Sequence, residues 1–142
     1  MDVVQTLLLG TTANVGMKLC GEVGRSQNVH LFRPGAFRRG AQDRFVIANQ
    51  SSLGPVRKLI IWHDNTGSHP DWGLTRVAVR DLQMNVIYHF LANCTLALRS
   101  SKMAIEKTIR VASEPKTYVF VAAMIEAVTT PLKFSLWMYS SF

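Results

Sequence analysis

The chain has 142 residues, 48% apolar and 18% charged, enough to build one domain of ordinary size around a core, which excludes disorder by composition. Its longest apolar run, Tyr118 to Ile125, is far shorter than the roughly 18–20 residues of a membrane span, and Met1-Asp2-Val3-Val4-Gln5 does not read as a signal peptide. Sixteen basic against nine acidic residues leave a charge of +7, which points to a basic surface that aids solubility or meets an anionic partner.

Period-two patterns run through the sequence. Val15, Met17 and Leu19 alternate with Gly16, Lys18 and Cys20, before a Gly21–Gly24 turn. Leu31 to Arg39 contains Pro34-Gly35 and reads as a loop rather than a helix. Phe45 and Ile47 alternate with Arg44 and Val46, followed by a turn at Gly54-Pro55. Leu59 to Trp62 is a continuous apolar run, the mark of a strand buried on both faces. After turn residues 65–70 come Val77 and Val79, then Val86, Tyr88 and Phe90, then Leu96 and Leu98. Ile109 and Val111 follow, and beyond Glu114-Pro115 the set Tyr118, Phe120 and Ala122. Val121 to Val128 fits either a strand or a short helix. Many short strands at near-regular spacing predict an all-β sandwich or barrel. No repeat, low-complexity tract or long linker divides the chain.

Cys20 and Cys94 are too few for a disulfide scaffold and sit in apolar surroundings, as small buried thiols do. One bridge between them stays open.

The densest polar cluster runs from Trp62 to Trp72 and offers His63, Asp64, Ser68, His69 and Asp71. A catalytic Ser-His-Asp set gathers its members from distant segments and needs an oxyanion hole; these lie in one loop. Zinc needs three or four ligands on facing positions, and two histidines six residues apart fall short. Asp64-Asn65-Thr66-Gly67 is turn chemistry, with Asp accepting backbone N–H groups and Asn and Gly tolerating positive φ. The loop is expected to join a strand ending near His63 to one starting near Leu74, with Trp62 and Trp72 at its base.

The stretch from Arg25 to Arg80 holds nine Lys/Arg against three Asp, a local charge of +6. It reads as a solvated face or as a surface for lipid headgroups, nucleic acid or an acidic protein. Nucleic acid is disfavoured, because zinc-finger spacing, an RNP-like aromatic stretch and a helix-turn-helix pattern are all missing.

Several segments together resemble the PLAT (LH2) domain. They are Gly10 to Val15 with Leu19, Gly21 and Gly24-Arg25-Ser26; Phe37 to Phe45 around Gly40-Ala41-Gln42-Asp43; Ser52-Leu53-Gly54-Pro55-Val56; Leu59 to Gly67; and Pro70-Asp71-Trp72 with Leu74, Val77, Val79 and Asp81-Leu82. The motif residues Trp62, His63, Asp64, Asn65, Gly67, Pro70 and Trp72 most resemble the PLAT domain of polycystin-1-like membrane proteins. The likeness is in register over residues 10–98 and weak over 99–142, with 1–9 as an atypical leading segment of a single domain 10–142. The family usually has a Trp near 95, an aromatic near 73 and a Cys near 92; here stand Thr95, Gly73 and Ala92. Unfilled space at 73 and 95 would cost a few kcal/mol.

The resemblance implies an antiparallel β-sandwich of two four-stranded sheets and a module without catalytic residues. It implies docking on anionic membrane lipids, such as phosphatidylserine or phosphoinositides, or on membrane or cytoskeletal proteins. It places the module on the cytoplasmic side of an integral membrane parent linked to calcium and cation-channel signalling, of which this chain would be a fragment or short isoform. The alternatives are a PLAT fragment of a lipid-metabolising enzyme, of lipoxygenase or lipase type, or a purely protein-binding module. The lipid-facing candidates are Arg33, Phe37, Arg38 and Arg39, with Arg57 and Lys58 on a neighbouring turn. Phe32 or Phe37 would insert at the interface, or Phe37 would pack in the core. No cofactor is expected. Ca²⁺ takes six to eight oxygens, usually with several carboxylates; the acids that calcium-binding PLAT domains carry are missing from 34–39. Asp43 with Thr11 and Thr12 would be the ligands, unless Asp43 caps structure or pairs with Arg39 or Arg44.

Overall fold

In the computed structural model, residues 10–49, 51–98, 105–112, 116–117 and 132–141 are described. The strands are β1 (Val15–Gly21), β2 (Val29–Leu31), β3 (Gln42–Asn49), β4 (Val56–His63), β5 (Trp72–Asp81), β6 (Val86–Leu96), β7 (Glu106–Arg110), β8 (Lys116–Thr117) and β9 (Leu132–Ser140). They form two antiparallel sheets. One has the order β2-β1-β4-β7, the other β3-β9-β5-β6-β8. The expected sandwich is therefore present, with the two-residue β8 as a fifth flank on the second sheet.

Alternation explains how the sheets meet. Successive strand side chains point to opposite faces, so every second residue enters the core. Val15, Met17, Leu19, Leu59 and Ile61 come from the first sheet, and Leu74, Val77, Val79, Tyr88, Phe90, Leu136 and Met138 from the second. Each fully buried aliphatic side chain contributes about 1.5–3 kcal/mol against solvent exposure.

The 59–62 run is buried on one face only. Leu59 and Ile61 are fully buried, whereas Ile60 and Trp62 are half-buried on the outer face. Trp62 lies over Gly16, its partner across β1–β4; a β-carbon there would sit 2.5 Å from the ring. Trp62 therefore covers a strand from outside, and Trp72 alone of the two enters the core. Leu96 closes β6 and Leu98 is exposed beyond it, so the set at 96–98 belongs to the preceding strand. Gly73 and Thr95 face each other across β5–β6, and Thr95 is exposed. The large side chain missing at 95 is therefore lost from the surface, whereas Gly73 is a buried position. Tyr118 to Val128 lies outside the described residues. Cys20, in β1, and Cys94, in β6, are free thiols, and burial raises the pKa of Cys94.

Buried polar groups tie strands together, His63 between the two sheets and Trp72 within the second. His63, at the end of β4, reaches the carbonyl of Leu96 on β6 through Nε2 at 2.8 Å. Its Nδ1 accepts the Asn65 N–H at 3.0 Å, which leaves Nε2 as the protonated donor. The Trp72 indole N–H donates to Ser140 Oγ at 3.0 Å.

Candidate functional site

The basic segment 32–41 follows β2 and is pinned by its backbone. Thr11 N–H donates to the Phe37 carbonyl at 2.9 Å, Gly40 N–H to Ser141 at 2.8 Å and Ala41 N–H to Arg38 at 3.0 Å. Phe37 has a φ of +62°, an unfavourable region for a bulky residue. Its ring compensates: it is buried, stacked on Phe45 at 5.6 Å and edge-on to Trp72 at 5.2 Å. Phe37 is thus a core anchor and is withdrawn from the surface candidates. Phe32 stands out instead, 73% exposed.

Asp43 is buried and fully engaged. One carboxylate oxygen accepts Phe37 N–H at 2.8 Å, and the other pairs with Arg33. Its ion-pair partner is Arg33, while Arg44 Nε donates to Ser135 Oγ. The Arg33 guanidinium also lies 5.6 Å from the Phe45 ring centre. Arg38 and Arg39 are exposed. The Arg38 guanidinium lies over Gly35, whose φ of +76° turns the chain back beneath it. A cleft of about 270 Å³ separates residues 11–14 from 31–38.

Arg57 and Lys58 are not on a neighbouring turn. They open β4, and Lys58 pairs with Cys20; the loop end of the same pairing is His63 opposite Val15. Arg57 is ion-paired with Glu22. The two basic groups sit at opposite ends of the first sheet.

Thr11, Thr12 and Asp43 do not suit Ca²⁺. Thr11 Oγ1 donates to the Pro70 carbonyl at 2.7 Å and accepts Ala13 N–H at 3.0 Å. Thr12 Oγ1 accepts His69 N–H at 2.9 Å. These oxygens hold loops together, and one fully hydrogen-bonded carboxylate is poor in charge for a divalent cation. Among the described residues no group of three His, Cys, Asp or Glu is placed to hold a metal.

The 64–71 loop is a rigid connection, as its turn chemistry predicts. Asp64 Oδ1 accepts Asn14 N–H at 3.0 Å and Thr66 N–H at 3.2 Å, and Oδ2 accepts Asn14 Nδ2 at 2.7 Å. Hydrogen bonds from the Thr66 hydroxyl and from Asn14 hold its carboxyl well below the usual carboxylate range. Asn65 and Gly67 have φ of +59° and +81°. Pro70 receives the Thr11 hydroxyl and Trp72 starts β5. Ser68 Oγ lies 3.0 Å from Nδ1 of its neighbour His69, and Asp64 faces Asn14 and Thr66. Sequence reasoning misses Asn14 as the anchor of Asp64, because the two are 50 residues apart and neither alone marks the contact.

The model of the PLAT/LH2 domain matches residues 3–121 of the chain. The chain belongs to the PLAT/LH2 family. It is 43% identical to human polycystin-1 over 107 residues, covering 74% of this chain and 2% of that protein. To human polycystin-1-like protein 3 it is 36% identical over 112 residues, 78% of this chain and 6% of that one. The chain thus spans only a small fraction of these relatives. The crystal structure of the Delta413-417:GS variant of LOX superposes with a TM-score of 0.65 at 18% identity, over 76% of this chain and 15% of that one, a likeness of fold. Within this PLAT domain, the Asp43 element fastens the basic loop and the His63–Trp72 element fastens β4 to β5 and β6.

Proposed function

We propose that this PLAT domain is a non-enzymatic docking module of a polycystin-like membrane protein, and that its 32–39 loop meets anionic phospholipid headgroups on the cytoplasmic side of the membrane. The observation that carries this reading is the pairing of an exposed aromatic, Phe32, with exposed Arg38 and Arg39 on a loop whose backbone is fixed from both sides. A fixed loop loses little conformational freedom on docking. Each basic residue near an anionic leaflet contributes about 1 kcal/mol, screened over a Debye length. Phe32 adds an apolar contact at the interface. Arg33, half-exposed and tied to Asp43, adds charge from a fixed position. Arg57 and Lys58, at the far end of the sheet, take no part in this contact. Docking proceeds without Ca²⁺, since the Asp43 carboxylate already serves the fold. The parent protein then supplies the link to cation-channel signalling.

The test is co-sedimentation with vesicles of phosphatidylcholine alone, with phosphatidylserine, or with phosphoinositide, at low and high salt, with and without Ca²⁺. Salt-sensitive, Ca²⁺-indifferent binding to the anionic vesicles is expected. Absence of binding by the folded domain would move the function to membrane or cytoskeletal protein partners, and a strict Ca²⁺ requirement would overturn the reading of Asp43.

A further inference from the structure

The outer face of the second sheet, whose strand β3 follows directly on the basic loop, carries an ordered array of cations and aromatic rings. Phe134, Leu136 and Met138 of β9 point into the core, so Ser135, Trp137 and Tyr139 point out. The register sets Arg44 of β3 and Ala78 of β5 on either side of Trp137, and Gln42 and Arg76 on either side of Tyr139. The Arg44 guanidinium lies 5.3 Å from the Trp137 ring centre, and Arg76 lies 3.9 Å from that of Tyr139. Arg44 Nε donates to Ser135 Oγ at 3.2 Å, which buries that serine under the arginine stem. One row along, Arg80 flanks Ser135 and donates to Asn85 at 2.9 Å. Lys133 extends the charge, and Val46 and Leu91 are exposed at the two sides. The outward positions of β3, β9, β5 and β6 contain no Asp or Glu. The Arg33–Asp43 and Arg57–Glu22 pairs lie elsewhere.

We infer that this face is an interaction surface for an acidic protein segment, one that presents carboxylates to Arg44 and Arg76, with Arg80 adding charge while its Nε and Nη2 serve Asn85. Trp, Tyr and Arg are the residues that most often dominate binding energy at protein interfaces. Guanidinium groups already laid on ring faces lose little freedom when they bind, and their edges still offer the fork of N–H donors that matches a carboxylate. A sheet face is broad and has no projecting tip, so it suits a partner that lies across it rather than a bilayer that must be penetrated. The exposed Val46 and Leu91 supply apolar contacts at the margins. This surface is independent of the lipid-docking loop.

The test uses the 142-residue chain and a fluorescein-labelled octaglutamate peptide. Saturable binding that weakens as salt is raised is expected, with the Trp137 indole N–H signal shifting in a ¹H–¹⁵N spectrum. Arg44→Gln with Arg76→Gln should weaken it at least tenfold. Arg44→Lys with Arg76→Lys should restore only part, because the charge returns without the fork. Arg38→Glu should change peptide binding less than twofold, which separates this surface from the loop. If the glutamine pair fails to fold, the indole shift in the unaltered chain still decides. An unmoved indole, or peptide binding indifferent to the arginines, would overturn the inference. So would an indole that shifts with phosphatidylserine vesicles or an oligonucleotide and not with the peptide, which would give the face to a membrane or to nucleic acid.

Discussion

Arg33 and Asp43 join the two ends of the basic loop through an ion pair, and the same carboxylate holds the Phe37 N–H between them. One buried acid thus sets three points of a cationic loop. It also converts Arg33 from a free surface charge into a structural one, so that the outward character of the loop rests on Phe32, Arg38 and Arg39.

Asp43→Ala should therefore destabilise the domain. The Phe37 N–H would be buried without a partner, and Arg33 would lose its counter-charge while staying half in solvent. The expected loss is about 2–3 kcal/mol, read from urea unfolding. Asp43→Asn should recover part of it, because an amide oxygen still accepts the Phe37 N–H. Equal stability of all three proteins would show that the carboxylate does not organise the loop.

His63→Ala should be at least as costly. It leaves the Leu96 carbonyl and the Asn65 N–H without their side-chain partner in a buried site. A loss of about 2–4 kcal/mol is expected from the cavity and the unpaired groups together. His63→Gln should lose less, since one amide N–H can still reach toward Leu96. Hydrogen exchange should show the β4 end and the Leu96 region opening together.

Gly67→Ala tests the turn. Gly67 sits at a φ of +81°, and a β-carbon there would collide with Thr12. An expected loss of about 1–3 kcal/mol combines the left-handed backbone with displacement of Thr12, whose hydroxyl accepts His69 N–H. An alanine variant as stable as the parent would mean that the 11–14 segment yields freely.

The strands were legible because alternation is local: Val15, Met17 and Leu19 announce a buried face within five residues. The 59–62 run was misread as buried on both faces, since sequence alone does not show that Gly16 opens a seat for Trp62 on the outside. The turn at 64–67 was legible because Asp, Asn and Gly carry their own backbone preferences. The basic loop was legible as a segment and not as a set of roles. Phe37 and Phe32 look alike in sequence, and burial distinguishes them. Arg33 and Arg38 likewise differ only through Asp43. Seeing that Arg57 and Lys58 lie at the end of the sheet away from the loop requires the register of β1 and β4, which no local pattern contains.

Asp64 gives the domain an acid-sensitive joint. Its carboxyl is held below the usual range by Thr66 and Asn14. A folded-state pKa lower than the unfolded one contributes stability that is complete above about pH 4 and is lost as pH falls through the acid range. Asp64→Asn should therefore be less stable than the parent at pH 7, with the gap closing toward pH 2. The site is exposed, so the difference should be small and weakened by salt. Thermal melts at pH 7, 4 and 2 would show it; a gap that stays constant with pH would assign the effect to geometry rather than charge.

Phe32 and Arg38 carry the lipid reading, and their exposure makes them clean probes. Neither substitution should shift stability by more than about 0.5 kcal/mol, as for most surface changes. Arg38→Glu replaces one attractive charge with a repulsive one, a change of about 2 kcal/mol near an anionic leaflet. That corresponds to roughly a thirtyfold fall in binding to phosphatidylserine vesicles at low salt, and the fall should shrink as salt is added. Phe32→Ser should lower binding too, but by an amount that salt leaves nearly unchanged, because the interaction it removes is apolar. Equal salt dependence of the two losses would mean that Phe32 does not enter the interface. Unaltered binding in both variants would mean that the loop is not the docking surface.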